Sequence, residues 1–389
     1  MTDSIVIVSA RRTAIGSFQG QFAPVKSPEL GSAAISAALT DAGVSGEDVG
    51  EVIMGCVLPA GVGQAPARQA ALGAGLPVSA GCTTINKVCG SGMKAVMQGH
   101  DALLARSTDL VVAGGMESMT NAPYMADRGL RMGHAKFLDH MFFDGLQNPY
   151  DGQMMGQFGE KCVAKYGFTR EAQDEFSKAS VERAMRALEQ GDFDDEIAPV
   201  TVRTRKGETE VKADEEPPRC NIDKMPNLKP AFAKDGTITA ASSSKISDGA
   251  AAMVLMRASD AEGRGAKPLA RIIAHATHSQ EPEWFTTAPV GAISKVLERA
   301  GWKAGDVDLY EINEAFATVT MAAMTELDLP HEKVNVNGGA CALGHPIGAS
   351  GARILVTLIH ALNNRGGKRG IASLCIGGGE ATAIAVELL

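Results

Sequence analysis

Apolar residues along the chain fall into two kinds of run. Residues 5–8, 110–113, 270–274 and 371–375 form short, largely apolar segments, as in buried strands. Elsewhere the pattern repeats every three or four positions and predicts two amphipathic helices, one through Met93, Val96, Met97, His100, Leu103 and Leu104, the other through Ile354, Leu355, Leu358 and Leu362. This alternation predicts an α/β protein in which helices cover a central sheet.

An internal repeat organises the chain. A shift of 258 residues places Ala42-Gly43 on Ala300-Gly301, within a stretch where half of the aligned positions are identical. A shift of 259 places Ser91-Gly92 on Ser350-Gly351 further along. The repeat predicts two copies of one structural unit.

The copies set the expected domain boundaries. We assign residues 1–118 to an N-terminal half, to which residues 248–267 return, and residues 268–389 to a C-terminal half. Residues 119–247 are richer in charged residues and prolines. We interpret them as an inserted loop domain that packs over the duplicated core and carries specificity.

Composition and charge exclude several classes of protein. Glycine makes up 44 of 389 residues without any linker-like tract, which favours tight turns and close backbone contacts in folded units. The net charge of −8 argues against nucleic acid as a partner, and no apolar run is long enough for a membrane span. Seven cysteines without a Cys-x-x-Cys pair predict free thiols in a cytoplasmic, reducing compartment and no metal site.

Two glycine-rich segments contain candidate catalytic side chains. Cys89, in NKVCGSGMKA, precedes a predicted helix whose free N–H groups would favour a thiolate. His345, in GHPIGASGAR, is a polar ring in an otherwise apolar loop, an arrangement that a role as general base would explain. Taken singly, Cys89 is also typical of a buried structural thiol and His345 of a surface turn.

Two further segments follow predicted strands of the second copy. Asn313, in EINEAFA, is a neutral donor and acceptor that can hold a water molecule. Cys375, in SLCIGGGEA, ends an apolar run, and the glycines after it allow backbone N–H groups to approach an oxyanion. The first β-strand is followed by SARRTAIGSF, which lacks the Gly-x-Gly-x-x-Gly turn of a nucleotide-binding dehydrogenase.

Together and in this order, NKVCGSGMKA, NEAFA, GHPIGASGAR and CIGGG resemble the thiolase family over essentially the whole chain. The resemblance implies a thiolase fold, that is, a duplicated five-layered α/β/α/β/α core with an inserted loop domain, in a homodimer or homotetramer. It also implies an acyltransferase that uses acetyl-CoA, acetoacetyl-CoA and CoA as substrates and needs no metal or other cofactor.

The resemblance assigns roles residue by residue. Cys89 would accept the acyl group, His345 would activate it, and Cys375 would be the acid/base of condensation. The N–H groups of Cys89 and Gly377 would form one oxyanion hole, and His345 with a water on Asn313 the other. Cys341 stands where relatives usually have an aliphatic residue or Ser, so a third thiol could compete in labelling experiments.

The same resemblance suggests where coenzyme A would bind. The inserted segment holds a basic cluster, otherwise typical of a solvated face, formed by Arg203, Arg205, Lys206, Lys212, Arg219 and Lys224. Within it the match to the family's adenosine-phosphate loop favours Arg219 and Lys224. Ser244 falls where relatives contact pantetheine, while Phe232 and Phe316 would line its channel. Met155 belongs to a Met pair that replaces a frequent His-Met, which leaves acyl-chain preference open.

The resemblance leaves open the length of the acyl chain that the substrate carries. EPEWFTTAPV and CIGGGEA look most like the short-chain members of the family, which condense two acetyl-CoA molecules reversibly through an acetyl-cysteine. A broad-chain 3-ketoacyl-CoA thiolase of fatty-acid breakdown is the alternative within the family. An acyl-CoA-binding scaffold without catalysis is the alternative from another class.

Overall fold

A computed structural model describes residues 3–205 and 207–389, so Lys206 of the basic cluster lies outside the described residues. Its strands are β1 (Ile5–Thr13), β2 (Gly16–Ser17), β3 (Glu51–Gly55), β4 (Gly81–Ile85), β5 (Leu110–Ser118), β6 (Tyr124–Ala126), β7 (Phe137–Asp139), β8 (Ile197–Ala198), β9 (Val200–Thr204), β10 (Gly207–Val211), β11 (Ser247–Arg257), β12 (Ala270–Ser279), β13 (Leu309–Ile312), β14 (Arg369–Ile376) and β15 (Glu380–Leu388).

The α-helices are α1 (Ser27–Ala42), α2 (Pro66–Gly73), α3 (Ser91–Leu104), α4 (Met155–Tyr166), α5 (Arg170–Gln190), α6 (Ala258–Arg264), α7 (Ala288–Ala300), α8 (Ala317–Leu327) and α9 (Ser350–Arg365). Short 3-10 turns occupy Gly46–Asp48, Met119–Asn121, Pro217–Arg219, Ile222–Asn227, Pro282–Thr287, Ala304–Asp306 and His331–Lys333, and a π-helical turn occupies Met141–Leu146. The four predicted strands are confirmed as β1, β5, β12 and β14, and the two predicted helices as α3 and α9. No helix of the described residues is both long and apolar enough to cross a membrane.

The repeat is visible in the order of the strands. The path across the sheet runs β4-β3-β5-β11-β1 in the first half and continues β12-β15-β14-β13 in the second. Equivalent strands have equivalent neighbours: β3 lies parallel to β5 in the first half, and β13 lies parallel to β14 in the second. The two half-sheets are joined where Val6 and Ile7 pair with Arg271 and Ala270.

The layers follow from which helices contact which strands. α1 packs on β1, β5 and β11, and α7 packs on β12, β14 and β15, so these helices form the two outer layers. α3 and α9 contact each other as well as strands of both half-sheets, and they form the middle layer. Separate apolar clusters fill the spaces on either side of each sheet. The predicted five-layered α/β/α/β/α core is thus confirmed.

Two equivalent glycines allow the middle helices to meet. A Cβ atom on Gly92 of α3 would lie 2.9 Å from the backbone nitrogen of Ala352, and one on Gly351 of α9 would lie 2.5 Å from that of Met93. Both distances are shorter than a real Cβ contact, so the helices can touch here only without side chains. The contact brings together the two helix N-termini that follow Cys89 and His345.

Candidate active site

A cavity of about 180 Å³ opens beside these helix N-termini, between the inserted segment and the C-terminal half. Its walls are mostly apolar, as in many small-molecule sites. Five residues that the sequence singled out line it: Met155, Phe232, Ser244, Phe316 and His345. The other lining residues are Met119, Phe142, Leu146, Met154, Gly156, Ser243, Lys245, Ile246 and Ile347.

Cys89 sits on a sharp turn immediately before α3. The preceding residue, Val88, has φ of 47°, an unfavourable conformation for a β-branched side chain and a sign of local strain. The turn is held by the side chain of Asn86, whose Oδ1 accepts from the N–H of Val88 at 2.8 Å, and by Ser91 Oγ, which donates to the Val88 carbonyl at 2.6 Å. Cys89 packs against the small apolar cluster that contains Met119 and Ile347, both of which line the cavity.

The expectation that helix placement makes Cys89 a thiolate is not met. Burial raises the pKa of Cys89 to about 11, although the N–H groups of Gly377 and of Cys89 itself act in the opposite direction. The cost of desolvating a charged sulfur exceeds the stabilisation from the two N–H groups. At neutral pH the group is therefore a thiol, and its activation requires a base.

His345 has the protonation state of such a base. Its Nδ1 lies 2.6 Å from Ser350 Oγ, and that hydroxyl donates to the carbonyl of Pro346 at 2.9 Å. Because the single hydroxyl proton is used there, we assign the ring proton to Nδ1, which donates to Ser350. Nε2 then carries a lone pair, and it is buried without a hydrogen-bond partner. Burial, with Arg353 nearby, lowers the pKa of His345 to about 3, so the ring is neutral.

Asn313 and Cys375 stand at the carboxyl ends of neighbouring parallel strands. Asn313 follows β13 and donates its backbone N–H to Ser373 of β14 at 3.0 Å, while Cys375 lies two residues further along β14. Both side-chain polar atoms of Asn313 are buried and unpartnered. Such an amide is costly unless a water or ligand completes it. Ligands of open α/β sheets bind at this edge of the strands.

Cys375 is enclosed by apolar and aromatic side chains. It belongs to a buried cluster with Phe316, against which Met155 and Phe232 also pack. Burial raises the pKa of Cys375 far above that of an ordinary thiol, and the nearby Cys89 raises it further. A thiolate formed here would therefore be a strong base.

Sequence reasoning missed Glu117, a buried carboxyl that joins the two halves. It accepts from the N–H groups of Val57 at 2.9 Å, Leu58 at 3.2 Å and Gly348 at 3.0 Å. Burial raises its pKa to about 7 against the opposing effect of these bonds. Glu117 thus fixes the backbone of the His345 loop. The available signal was a charged residue one position before the end of β5, a strand that is otherwise apolar up to Ser118.

The two proposed phosphate-binding residues lie apart from the cavity. Arg219 ends the turn Pro217–Arg219, and its guanidinium contacts Glu215 at 3.1 Å. Lys224 is an exposed residue of the turn Ile222–Asn227. Neither side chain lines the cavity wall.

Cys341 is unlike the two candidate catalytic thiols. It is 1% exposed and packs with Phe176 and Ala317 rather than on the cavity. Its Sγ lies 3.8 Å from the carbonyl oxygen of Glu314, and burial raises its pKa strongly. This environment argues against competition in labelling.

Comparison with known proteins places the site in context. The family model "Thiolase, N-terminal domain" matches residues 5–259, and "Thiolase, C-terminal domain" matches residues 266–388. Among curated proteins, the acetyl-CoA acetyltransferase of Cupriavidus necator is 51% identical, with 100% of both chains covered. The cytosolic acetyl-CoA acetyltransferase of Mus musculus is 48% identical, covering 99% of this chain and 98% of that one.

Solved structures agree with the sequence matches. The acetyl-CoA acetyltransferase of Bacillus anthracis has a TM-score of 0.97 and 41% identity, covering 100% of this chain and 99% of the other. A thiolase from Ascaris suum in complex with coenzyme A has a TM-score of 0.95 and 41% identity, covering 99% and 100%. These likenesses extend over both halves and the inserted segment.

Proposed function

The chain belongs to the thiolase family, and we propose that it is an acetyl-CoA C-acetyltransferase, which condenses two acetyl-CoA molecules reversibly to acetoacetyl-CoA and CoA. The full-length relatives that share about half of its residues carry this activity in their names. The observation that supports the chemistry best is the bare, buried Nε2 of His345 in the wall of the cavity against which Cys89 packs.

In the first half-reaction Cys89 attacks the thioester carbonyl of acetyl-CoA. Its thiol is protonated at rest, so His345 Nε2 takes the proton as the sulfur–carbon bond forms. The CoA sulfur leaves as the tetrahedral intermediate collapses and takes a proton from Cys375. The products are acetyl-Cys89, free CoA, a protonated His345 and a Cys375 thiolate.

The second half-reaction uses the charges that the first leaves behind. The Cys375 thiolate removes a proton from the methyl group of a second acetyl-CoA, and the enolate carbon attacks the acetyl carbonyl on Cys89. Acetoacetyl-CoA forms when Cys89 leaves, and it recovers its proton from His345. Protons and charges balance over the cycle, because the proton taken from the methyl group of the second acetyl-CoA replaces the one that Cys375 gave to CoA, and Cys89 recovers its own proton from His345.

Two oxyanion holes would stabilise the charge that develops on oxygen. The N–H groups of Cys89 and Gly377, which point at the Cys89 sulfur, would hold the oxygen of the tetrahedral intermediate. His345 and a water on Asn313 would hold the enolate oxygen. A single donor of this kind is typically worth about 3–4 kcal/mol.

The remaining assignments concern substrate binding and assembly. Ser244, Met155, Phe232 and Phe316 would surround the pantetheine arm, and the exposed Arg219 and Lys224 would meet the nucleotide phosphates, with no metal or other cofactor needed for the reaction. We also propose a cytoplasmic homodimer or homotetramer. The unpaired edge strand β4 supports assembly, as do the exposed apolar side chains of Tyr124, Met132 and Phe137.

Intact-mass measurement after incubation with acetyl-CoA tests the central step. We expect a single acetyl adduct on the wild-type chain and none on Cys89→Ala, with Cys341→Ala as the matched thiol control that still acetylates. A chain that binds acetyl-CoA without any adduct would be an acyl-CoA-binding scaffold and would overturn the proposal.

Chain length is tested by thiolysis. The large side chains that bound the cavity, among them Phe142, Leu146 and Met154, favour a short acyl group. We expect kcat/KM for acetoacetyl-CoA to exceed that for a 3-ketoacyl-CoA of ten carbons by at least a factor of about 100. Comparable values would instead identify a broad-chain 3-ketoacyl-CoA thiolase.

A further inference from the structure

Three potential metal ligands converge far from the cavity. His100 Nδ1 lies 3.0 Å from Asp101 Oδ1, His275 Nε2 lies 3.1 Å from His100 Nδ1, and His275 Nε2 lies 2.9 Å from Asp101 Oδ1. The three atoms thus form a nearly equilateral triangle. They come from the last turns of α3 and from β12, so the cluster joins the N-terminal half to the C-terminal half.

The size of the triangle suits a transition metal. Ligands about 2.0–2.2 Å from a metal lie roughly 2.8–3.1 Å apart on one face of an octahedron and roughly 3.3–3.6 Å apart in a tetrahedron. The observed separations match the first arrangement. Two imidazoles and one carboxylate are the ligand set of zinc and its neighbours rather than of magnesium or calcium, which prefer oxygen.

The same three atoms can be held together by hydrogen bonds or by a shared cation. Asp101 Oδ1 can accept from both ring N–H groups, at 3.0 Å from His100 Nδ1 and 2.9 Å from His275 Nε2, whereas in the other tautomers these ring nitrogens present lone pairs to the same point. The carboxylate adds further lone pairs at the same point. When both rings take the tautomers that present lone pairs, a cation can bind all three atoms in place of the hydrogen bonds.

Access and charge set the expected strength. The side chains of His100 and His275 are 13% and 15% exposed, whereas that of Asp101 is 57% exposed, so an ion can enter from solvent past the carboxylate. Asp101 is the one anionic ligand, and the positive Lys94 acts on His275. The carboxylate attracts a cation and the ammonium opposes it, so the two charges partly cancel at the cluster.

We propose that His100, Asp101 and His275 bind one divalent transition-metal ion, such as zinc, which fastens the end of α3 to β12. The site is structural. Eleven residues of sequence separate His100 from Cys89, which corresponds to roughly 16 Å along a helix, so the ion takes no part in acyl transfer. The inference is independent of the proposed activity.

Calorimetric titration of metal-free protein with zinc provides the test. Thiols also bind zinc, so the parent for all measurements carries Cys89→Ser, which removes the more exposed of the two candidate catalytic thiols. We expect one zinc per chain in this parent. We expect the same affinity when exposed His134 is changed to Gln, the matched histidine control, and at least tenfold weaker binding with His275→Gln or Asp101→Asn.

Each outcome separates the possibilities. Asp101→Asn alters an exposed side chain and keeps its shape, so it tests the site even if His275→Gln fails to fold. Thermal unfolding should show a zinc-dependent rise in Tm for the parent and for His134→Gln that Asp101→Asn lacks. Equal zinc affinity in Asp101→Asn and His134→Gln would show a hydrogen-bonded cluster only and would overturn the proposal.

Discussion

The two halves of the core have the same strand order, but equivalent positions in them carry different side chains and serve different purposes. Under the repeat, Cys375 corresponds to Met116, Asn313 to Gly55, His345 to Asn86 and Cys89 to Gly348. The C-terminal half therefore supplies three of the four candidate catalytic groups and the N-terminal half one. Equal backbone geometry does not imply equal chemistry.

Packing at the equivalent crevices explains the asymmetry. In the N-terminal half the loop of His345 enters the crevice. A Cβ on Gly55 would lie 2.7 Å from the carbonyl oxygen of Gly348, and one on Gly115 would overlap the same oxygen. Glu117 holds this loop in place through the N–H of Gly348. In the C-terminal half the corresponding space, beside Asn313, contains unpartnered polar atoms that a substrate or water can complete. One crevice is filled by the chain and the other is available to substrate.

The largest expected effect contrasts Cys375 with Met116. We expect Cys375→Ser still to form the acetyl adduct on Cys89, because a CoA thiolate can leave without a proton from Cys375, but to lose condensation by a factor of about 10²–10⁴, because the acid/base group is replaced by a much weaker acid. Met116→Leu should change either half-reaction by less than about tenfold, since it conserves volume in a buried site. Intact-mass and acetoacetyl-CoA assays measure the two steps. An equal fold-loss in both steps of Cys375→Ser would contradict a distinct role for this thiol in condensation.

The next prediction compares Gly55 and Asn313, which are equivalent under the repeat. A change at Gly55 should reduce stability, and a change at Asn313 should reduce activity. Gly55→Ala introduces a Cβ 2.6 Å from that of Ser91 and 2.7 Å from two backbone atoms, so we expect unfolding to become easier by about 3 kcal/mol. Asn313→Ala should lower kcat by about 10²–10³ while Tm changes less, because its amide atoms are unpartnered. Thermal unfolding and turnover, measured on both variants, give the comparison. An inactive but normally stable Gly55→Ala would contradict it.

A third prediction concerns the pH dependence of stability and Glu117, the carboxyl group that holds the His345 loop in the N-terminal crevice. The folded-state pKa of Glu117, about 7, lies above its unfolded value of 4.5, so the folded protein binds the proton more tightly. This contribution to stability is present below pH 4.5 and is lost as the pH rises to about 7, by up to about 3 kcal/mol. Glu117→Gln should remove that part of the slope in urea unfolding between pH 4.5 and 7. An unchanged slope would mean that Glu117 is ionised in the folded protein throughout.

The smallest contrast compares the paired serines. Ser350→Ala removes the acceptor that fixes the His345 tautomer, and we expect kcat to fall about tenfold with KM little changed. Ser350→Thr, which keeps the hydroxyl, should restore most of the rate. Ser91→Ala leaves the N–H of Lys87 without its partner and should lower stability by about 1–2 kcal/mol. If Ser350→Ala changed only Tm, the tautomer would not limit the rate.

The sequence predicts much of the fold because each relevant signal is local or repeated. The apolar runs that predict β1, β5, β12 and β14 are buried segments. Gly92 and Gly351 are related by the repeat of 259 residues, and the two middle helices touch at these glycines. The candidate site could be found because its groups lie in motifs. The protonation state of Cys89 could not be predicted from the sequence, because its pKa depends on the balance between burial, which raises it, and two N–H groups, which lower it. Residues distant in the sequence set that balance.

Contacts between distant segments account for what sequence reasoning missed. The sequence marks Glu117 as an unusual charge in an apolar strand, but only its contacts with Val57, Leu58 and Gly348 show what the carboxylate does. His275 is separated from His100 and Asp101 by more than 170 positions, beyond any motif spacing for metal ligands. Arg219 and Lys224 remain a prediction, because no contact within the chain reports where a nucleotide phosphate would lie.

The contact between Gly92 and Gly351 has a consequence for how the molecule unfolds. A chain of this length with two homologous halves would ordinarily be expected to denature in two steps. Here the helices of the middle layer belong to different halves and pack on both half-sheets, so neither half can bury its inner face alone. Separating them would expose that face and open the crevice that the His345 loop fills. Denaturation should therefore be a single cooperative transition, with substrate-binding capacity and sheet structure lost together.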